Sequence, residues 1–199
     1  MKVLIVLILS SLLTGVSPAG ENAYRLRSEN AHGETRHGTC SALDCGEFKD
    51  LNGQYIVTAA HVTGAAGDRL KIEAENDRWI DCTLLAIDRE DDIAILKASA
   101  LLPKSSKLAP DGAVTVSGSP TSKPVITERG TVRALVLRLD VMAHGMSGGP
   151  VFDLDGNLAG IIVAGIADDN GAMKHDTGLV VAASVIRHFL STLDSAHHK

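Results

Sequence analysis

Apolar and β-branched residues occur along this chain in short runs that turn-forming residues separate. In the first half, the runs predict strands at 39–43, 54–59, 69–74, 79–87 and 93–98. Asn52 and Gly53 lie between the first two runs and form a strong hairpin signal. Short strands at this spacing, with no long helical pattern among them, predict an antiparallel barrel over about residues 36–100.

The second half repeats the pattern after a polar connection at 103–110. Its runs predict strands at 113–117, 125–136, 151–154, 158–166 and 179–183. We therefore expect a second barrel over about residues 111–183. The period then becomes helical, with apolar residues at Val185, Ile186, Phe189, Leu190 and Leu193. Ser184 is a candidate N-cap, which predicts a C-terminal helix over about residues 184–194.

The first nineteen residues have the composition of a secretory signal peptide. A short basic start is followed by an apolar run from Val3 to Leu9 and by small residues up to Ala19. The apolar run is shorter than the roughly 20 residues that span a bilayer, so cleavage near Ala19 is favoured over an uncleaved anchor. We expect secretion or a periplasmic location, no stable membrane span after cleavage, and a polar lead-in at 20–35 with at most one short strand.

Length and charge narrow the class of protein. The 199 residues less the first 19 leave 180, which is enough for one packed domain. The net charge of −5 argues against nucleic acid as the main partner, because phosphate binding requires a basic surface. Aromatic residues make up only 3% of the chain, so the predicted core is aliphatic.

Three cysteines, Cys40, Cys45 and Cys82, leave one thiol unpaired if a disulfide forms. An exported chain permits a bridge, and the sequence allows Cys40–Cys82, Cys45–Cys82 or none. Small buried side chains on barrel strands are an equal alternative. The Cys and His residues do not have the spacing of a structural zinc site, so no metal is expected.

Three short motifs carry candidate chemistry. Ser147 lies in the glycine-rich stretch GMSGGP at 145–150, His61 ends an apolar run in TAAHV, and Asp92 directly precedes another run in DIAIL. A serine hydroxyl is a weak nucleophile unless a base removes its proton and hydrogen-bond donors stabilise the oxyanion. The order His, Asp, Ser is that of the chymotrypsin-type triad. Asp91, the neighbour of Asp92, is the alternative carboxylate.

Together, TAAHV, DIAIL and GMSGGPVFD resemble the chymotrypsin-fold, trypsin-like serine endopeptidases, and most closely the bacterial Deg/HtrA-type protease domains. The resemblance runs from about Arg36 to Leu190. It implies an all-β fold of two antiparallel six-stranded β-barrels with a C-terminal helix, a protease domain over 36–199, and no cofactor. We do not expect in this chain the peptide-binding PDZ domain of longer relatives, and the oligomeric state stays open.

The resemblance also implies a role for each motif residue. His61 is the general base, Asp92 orients its ring, and Ser147 is the nucleophile, while the amides of Gly145 and Ser147 form the oxyanion hole. We expect activity to fall at acid pH, because the base must be neutral to accept the serine proton. Met146 stands where digestive relatives have an aspartate that pairs with a newly cut N-terminus, so activation of that kind is not expected.

The resemblance also implies a substrate specificity, because pocket positions of the family can be matched to residues of this sequence. Val141 stands where trypsin-like members have an acidic residue, so cleavage after Lys or Arg is not expected. The strand at 160–165, with Val163 and Gly165 as substrate-binding residues, is expected to form the pocket wall and to pair with the substrate backbone. Ile162 stands where glutamate-specific relatives carry a histidine. Val141 and Ile162 are equally well explained as core residues.

The sequence therefore predicts an exported serine endopeptidase whose partner is a polypeptide substrate. We expect peptide-bond hydrolysis through an acyl-enzyme, after a small or medium apolar residue such as Val or Leu. Two alternatives remain. One is a non-catalytic binding module on the protease fold, and the other is an esterase that uses the same triad.

Overall fold

A computed structural model describes residues 22–48, 51, 53–74, 78–109, 116–118, 126–128, 134–138, 145–153, 155–167 and 173–196. Six strands of the first half form a closed antiparallel barrel in the order β1-β2-β3-β6-β5-β4. Their bounds are β1 Ala23–Glu29, β2 Thr35–Asp44, β3 Gln54–Ala59, β4 Arg69–Glu73, β5 Trp79–Asp88 and β6 Ile93–Ala98. The predicted first barrel is confirmed, and the structure begins it before residue 36.

Strand β1 lies within the segment that the sequence analysis assigns to a polar lead-in. It pairs with β2 on one side and with β4 on the other, and so closes the barrel. Tyr24, Leu26 and Ser28 are buried, whereas the alternate positions Arg25 and Arg27 are exposed and partly exposed. This alternation is the signal of a half-buried strand, and the polar composition of the segment concealed it.

The second half contains six further strands among the described residues. They are β7 Val116–Gly118, β8 Ile126–Glu128, β9 Ala134–Arg138, β10 Pro150–Phe152, β11 Leu158–Ala167 and β12 Met173–Ala182. They form a four-stranded sheet, β10-β11-β12-β9, and a separate two-stranded sheet, β7-β8. The all-β fold class is confirmed, but the described residues do not close a second six-stranded barrel. The single strand predicted at 125–136 is two strands, and β12 begins earlier than predicted.

Helix α1, Ala183–Ala196, is the predicted C-terminal helix. It begins one residue earlier than expected, at Ala183, so Ser184 lies inside the helix and is not its N-cap. Val185, Ile186 and Leu190 are buried, and Phe189 and Leu193 pack against them from the same face. The predicted apolar face of the helix is therefore its buried face.

The two halves share a hydrophobic core, which we call the shared core. It joins strands of the first barrel to β11, β12 and α1, and its buried members are Leu43, Cys45, Phe48, Leu51, Tyr55, Val57, Ile93, Ile95, Leu108, Leu158, Ile161, Val181, Ala183, Val185, Ile186 and Leu190. A second cluster, the barrel core, fills the first barrel and includes Leu26, Ile56 and Ile72.

All three cysteines are free thiols in the structure. Cys40 lies in the barrel core, where Cys82 also packs, whereas Cys45 lies in the shared core. Burial raises the pKa of the Cys45 and Cys82 thiols to about 12 and that of Cys40 well above its usual range. The cysteines are therefore small core residues here, and the different cores of Cys45 and Cys82 argue against the Cys45–Cys82 pairing.

No helix in the described part of the chain is long and apolar enough to cross a membrane. The predicted signal peptide at 1–19 lies outside the described residues, as does Val141.

Candidate active site

His61 is presented to solvent by the end of β3. The buried strand stops at Ala59 and continues into a short 3₁₀ turn, Ala60–Val62, whose first and last residues are buried. Thr63 closes the turn, since its backbone amide and its hydroxyl donate to the carbonyl of Ala60 at 3.1 and 2.8 Å. The His61 side chain, in the middle, is 48% exposed. The fold therefore fixes the backbone of this histidine and leaves its ring accessible.

Asp92 holds His61 through both carboxylate oxygens. The backbone amide of His61 donates to Oδ1 at 2.9 Å, and Nδ1 of the ring lies 2.7 Å from Oδ2. The backbone carbonyl of Asp92 also accepts the amide of Ala60 at 3.0 Å. These contacts require a left-handed backbone at Asp92, with φ of 55°, which Asp and Asn adopt more readily than most residues.

The acidic residues before Asp92 form the turn that positions the Asp92 carboxylate next to His61. Oδ1 of Asp88 accepts the amides of Glu90 and Asp91 at 2.9 and 3.1 Å, which is an Asx-type turn before β6. Of the two adjacent candidates, Asp91 and Asp92, the structure places the carboxylate of Asp92 on the histidine ring.

The turn that carries Ser147 is built on glycines with positive φ, 91° at Gly145 and 82° at Gly148. Gly148 donates its amide to the carbonyl of Ile162 at 2.6 Å, and the amide of Ile162 donates to Gly149 at 2.9 Å. These bonds pair the turn with strand β11. Because side chains are absent at both positions after Ser147, the turn can lie flat against the neighbouring strands.

Strand β2 holds the same turn from the other side. The amide of Thr39 donates to the carbonyl of Ser147 at 2.8 Å, and the Thr39 hydroxyl donates to the carbonyl of Gly145 at 2.6 Å. The carbonyl of Thr39 accepts the hydroxyl of Thr58, a β3 residue, at 2.7 Å. The serine turn of the second half is therefore tied to two strands of the first barrel.

Two glycines show how closely the serine turn approaches the histidine turn. A Cβ atom added at Gly38 would lie 2.9 Å from Cγ1 of Val62 and 3.1 Å from the carbonyl oxygen of Ser147. A Cβ atom at Gly148 would lie 3.0 Å from the amide nitrogen of Ala59 and would overlap Thr58. The backbone next to Ser147 is thus packed against the residues on either side of His61.

The predicted substrate-binding residues have different surroundings. Val163 on β11 is half-buried and packs against both the shared core and the barrel core. Gly165 pairs with Gly178 of β12, where the register of the ladder is irregular. Ile162 is buried with Val180, and Met146 packs against that pair. Ile162 therefore has the contacts of a core residue.

Sequence reasoning missed Gly38, Thr39 and Thr58. Their contacts join strands to a turn far along the chain, and Thr39 and Gly145 are 106 positions apart. No local periodicity carries that information. In the described residues, no three His, Cys, Asp or Glu side chains are grouped so that they could hold a metal ion.

The fold is chymotrypsin-like, and comparison with known proteins identifies the family. The chain matches the family described as the trypsin-like peptidase domain over residues 38–161. Because the match covers more than half of the chain, this protein belongs to that family. The resemblance to the Deg/HtrA-type protease domain is confirmed.

Among curated proteins, the chain is 32% identical over 139 residues to serine protease HTRA1 of Xenopus laevis, a match covering 56% of this chain and 30% of the relative. It is 33% identical over 144 residues to human serine protease HTRA3, covering 56% and 32%. A probable periplasmic serine endoprotease, DegP-like, of Halomonas elongata is 30% identical over 125 residues, covering 54% and 26%. The chain thus spans about a third or less of the length of these relatives.

Two solved structures share the fold. The HtrA-type protease AlgW with a tripeptide superposes with a TM-score of 0.64 at 22% identity, covering 92% of this chain and 63% of that one. The active form of the Rv3671c protease from M. tuberculosis gives a TM-score of 0.59 at 21% identity, covering 84% and 80%.

Proposed function

We propose that this protein is a serine endopeptidase that cleaves polypeptides through an acyl-enzyme. His61 accepts the hydroxyl proton of Ser147 as the oxygen attacks the scissile carbonyl, and it then donates that proton to the leaving amine. Water attacks the resulting ester with His61 again as the base, which releases the acid and restores the serine. The amides of Gly145 and Ser147 stabilise the oxyanion in both steps.

One observation carries the proposal. The carboxylate of Asp92 lies 2.7 Å from Nδ1 of a half-exposed His61, at the edge against which the backbone of Ser147 packs. A proton held on Nδ1 leaves Nε2 as the free base of the ring. In His61 a close carboxylate contact is combined with a solvent-accessible ring. The carboxylate orients the general base, and the exposed ring lets it reach the substrate.

The experiment is covalent labelling with a fluorophosphonate probe, which reacts with activated serines. We expect the purified protein to be labelled and Ser147→Ala to abolish the label. Ser191→Ala is a matched control, because the Ser191 hydroxyl is exposed on α1 and donates to the carbonyl of His188. Labelling that survives in Ser147→Ala would place the nucleophile elsewhere and contradict the proposal.

Substrate class separates the proposal from its alternatives. An endopeptidase hydrolyses casein, an esterase hydrolyses p-nitrophenyl acetate but not casein, and a binding module retains peptides without cleaving either. The names of the relatives, serine proteases and endoproteases, support the first outcome. Casein that stays intact while the ester is turned over would favour the esterase.

We infer cleavage after a small or medium apolar residue such as Val or Leu. The apolar character of Val141 and Val163 supports this preference, and Gly165 leaves room for the substrate backbone. A peptide library analysed by mass spectrometry tests it. Frequent cleavage after Arg or Lys would contradict the assignment of Val141 to the pocket.

We also infer that the chain is exported. The composition of residues 1–19 supports a signal peptide, and one relative is named as a periplasmic endoprotease. Cell fractionation and N-terminal sequencing of the mature protein test this inference, with a chain that begins near Gly20 as the expected result. A full-length chain that stays in the cytoplasm would contradict it.

A further inference from the structure

We propose that the hydroxyl of Thr39 is a positioning group for the oxyanion hole, so that a residue of the first barrel sets the catalytic geometry of the second half. This inference rests on the function proposed above. It concerns a side chain that none of the three motifs contains.

Thr39 holds the two residues whose amides are the predicted oxyanion donors. Its hydroxyl donates to the carbonyl of Gly145 at 2.6 Å, and its backbone amide donates to the carbonyl of Ser147 at 2.8 Å. One residue thus fixes the peptide plane after each donor. Oxyanion donors act by being held in place before the reaction, so contacts that restrain the peptide planes directly after the two donors bear on the rate.

Gly145 is the position that most needs such a contact. Its φ is 91°, and a Cβ atom added there would meet no atom of the described residues within 4 Å, so no described neighbour crowds its Cα. Glycine adopts positive and negative φ with similar ease. The hydroxyl bond from Thr39 opposes rotation of the Gly145 carbonyl, which a backbone bond to Ser147 two residues later does not do directly.

Thr39 is itself well anchored. It lies in β2 and is half-buried, and its carbonyl accepts the hydroxyl of the buried Thr58 at 2.7 Å. Gly148 packs on the same two groups, since a Cβ atom there would overlap the carbonyl of Thr39 and the hydroxyl of Thr58. A rigid donor on a barrel strand can therefore restrain a flexible glycine turn.

The test compares Thr39→Val, which removes only the hydroxyl, with Thr39→Ser, which restores it. Ser41→Ala is the matched control, because Ser41 lies two residues along β2 and donates its hydroxyl to the carbonyl of Asn22, away from the turn. For Thr39→Val we expect kcat on a peptide substrate to fall roughly fivefold to tenfold, the effect of one hydrogen bond, with KM unchanged. Thr39→Ser and Ser41→Ala should keep kcat near wild type.

A second measurement does not depend on activity. Hydrogen exchange followed by mass spectrometry should show residues 145–149 exchanging roughly fivefold faster in Thr39→Val, and at the wild-type rate in Thr39→Ser and Ser41→Ala. Wild-type kcat together with wild-type exchange in Thr39→Val would overturn the inference, as would a raised KM at constant kcat. If the wild-type protein has no Ser147-dependent activity, the proposed function fails, and exchange alone then decides whether Thr39 holds the turn.

Discussion

Asp92 binds the backbone and the side chain of His61 at once, with its two carboxylate oxygens 2.9 Å from the amide nitrogen and 2.7 Å from Nδ1. The first bond fixes the position of the histidine backbone, and the second fixes the orientation of its ring. Since Nδ1 faces a carboxylate, the hydrogen-bond geometry assigns the proton to Nδ1 and leaves Nε2 as the acceptor.

Asp92→Asn should nearly abolish activity. The amide group of Asn can donate to Nδ1, which would move the ring proton to Nε2 and block transfer from Ser147. By analogy with the same change in other triads, we expect kcat to fall by roughly ten-thousandfold. Steady-state hydrolysis of a peptide substrate measures this effect. Asp91→Asn is the control, and a comparable loss in that variant would mean that the wrong aspartate has been assigned.

Asp92 should also matter for stability through its backbone. At φ of 55°, Asn tolerates the conformation about as well as Asp, whereas Ala does not. We expect Asp92→Ala to be about 1 kcal/mol less stable than Asp92→Asn in urea denaturation. Equal free energies of unfolding for the two variants would show that the left-handed backbone contributes no strain.

Gly148→Ala should disrupt the junction between the halves. The new Cβ would overlap Thr39 and Thr58 and would also need a positive φ. We expect a loss of about 3 kcal/mol or more in the free energy of unfolding. Gly156→Ala separates the two effects, because Gly156 has φ of 81° and no atom of the described residues lies within 4 Å of an added Cβ. That control should lose only about 1 kcal/mol, and an equal loss in both variants would contradict the packing argument.

Cys45 should make the protein less stable in alkali. Burial in the shared core raises the pKa of its thiol from 9.0 to about 12, with further contributions from Asp44 and Glu47. In the unfolded chain the thiol releases its proton near pH 9, while the folded state keeps it, so the stabilising contribution is complete below pH 9 and is lost between pH 9 and 12. Thermal melts across this range should show Tm falling less steeply in Cys45→Ala. The same slope in both proteins would contradict the prediction.

The features that could be predicted from the sequence are those that hydrophobic alternation and motif order encode, namely the positions of most strands and the candidate catalytic residues. Strand β3 at Gln54–Ala59 and β6 at Ile93–Ala98 lie where the apolar runs placed them, because Tyr55–Ala59 and Ile93–Leu96 are buried on both faces. A short strand was allowed in the predicted lead-in, but β1 was neither placed nor recognised as part of the barrel, since its outward charged residues made the segment look polar. The helix start at Ala183, before Ser184, shows that a capping residue alone is a weak boundary signal.

The candidate site also has a part that the sequence predicts and a part that only the structure shows. The motifs predicted His61, Asp92 and Ser147 as the catalytic residues, and the structure adds the contact between the first two. The hold of Thr39 on Gly145 depends on how β2 lies against a turn from the other half, so it is a property of the packing. Residue types along one stretch of chain cannot encode such a contact.

The residue after Asp92, Ile93, lies in the shared core together with Ile186 and Leu190 of α1. The C-terminal helix therefore belongs to the core that supports the residue next to Asp92. Proteolytic removal of that helix should abolish the proposed activity while leaving most of the first barrel's hydrogen bonds intact. Limited proteolysis with parallel assays of cleavage and circular dichroism would detect a molecule that is inactive yet still largely β-structured.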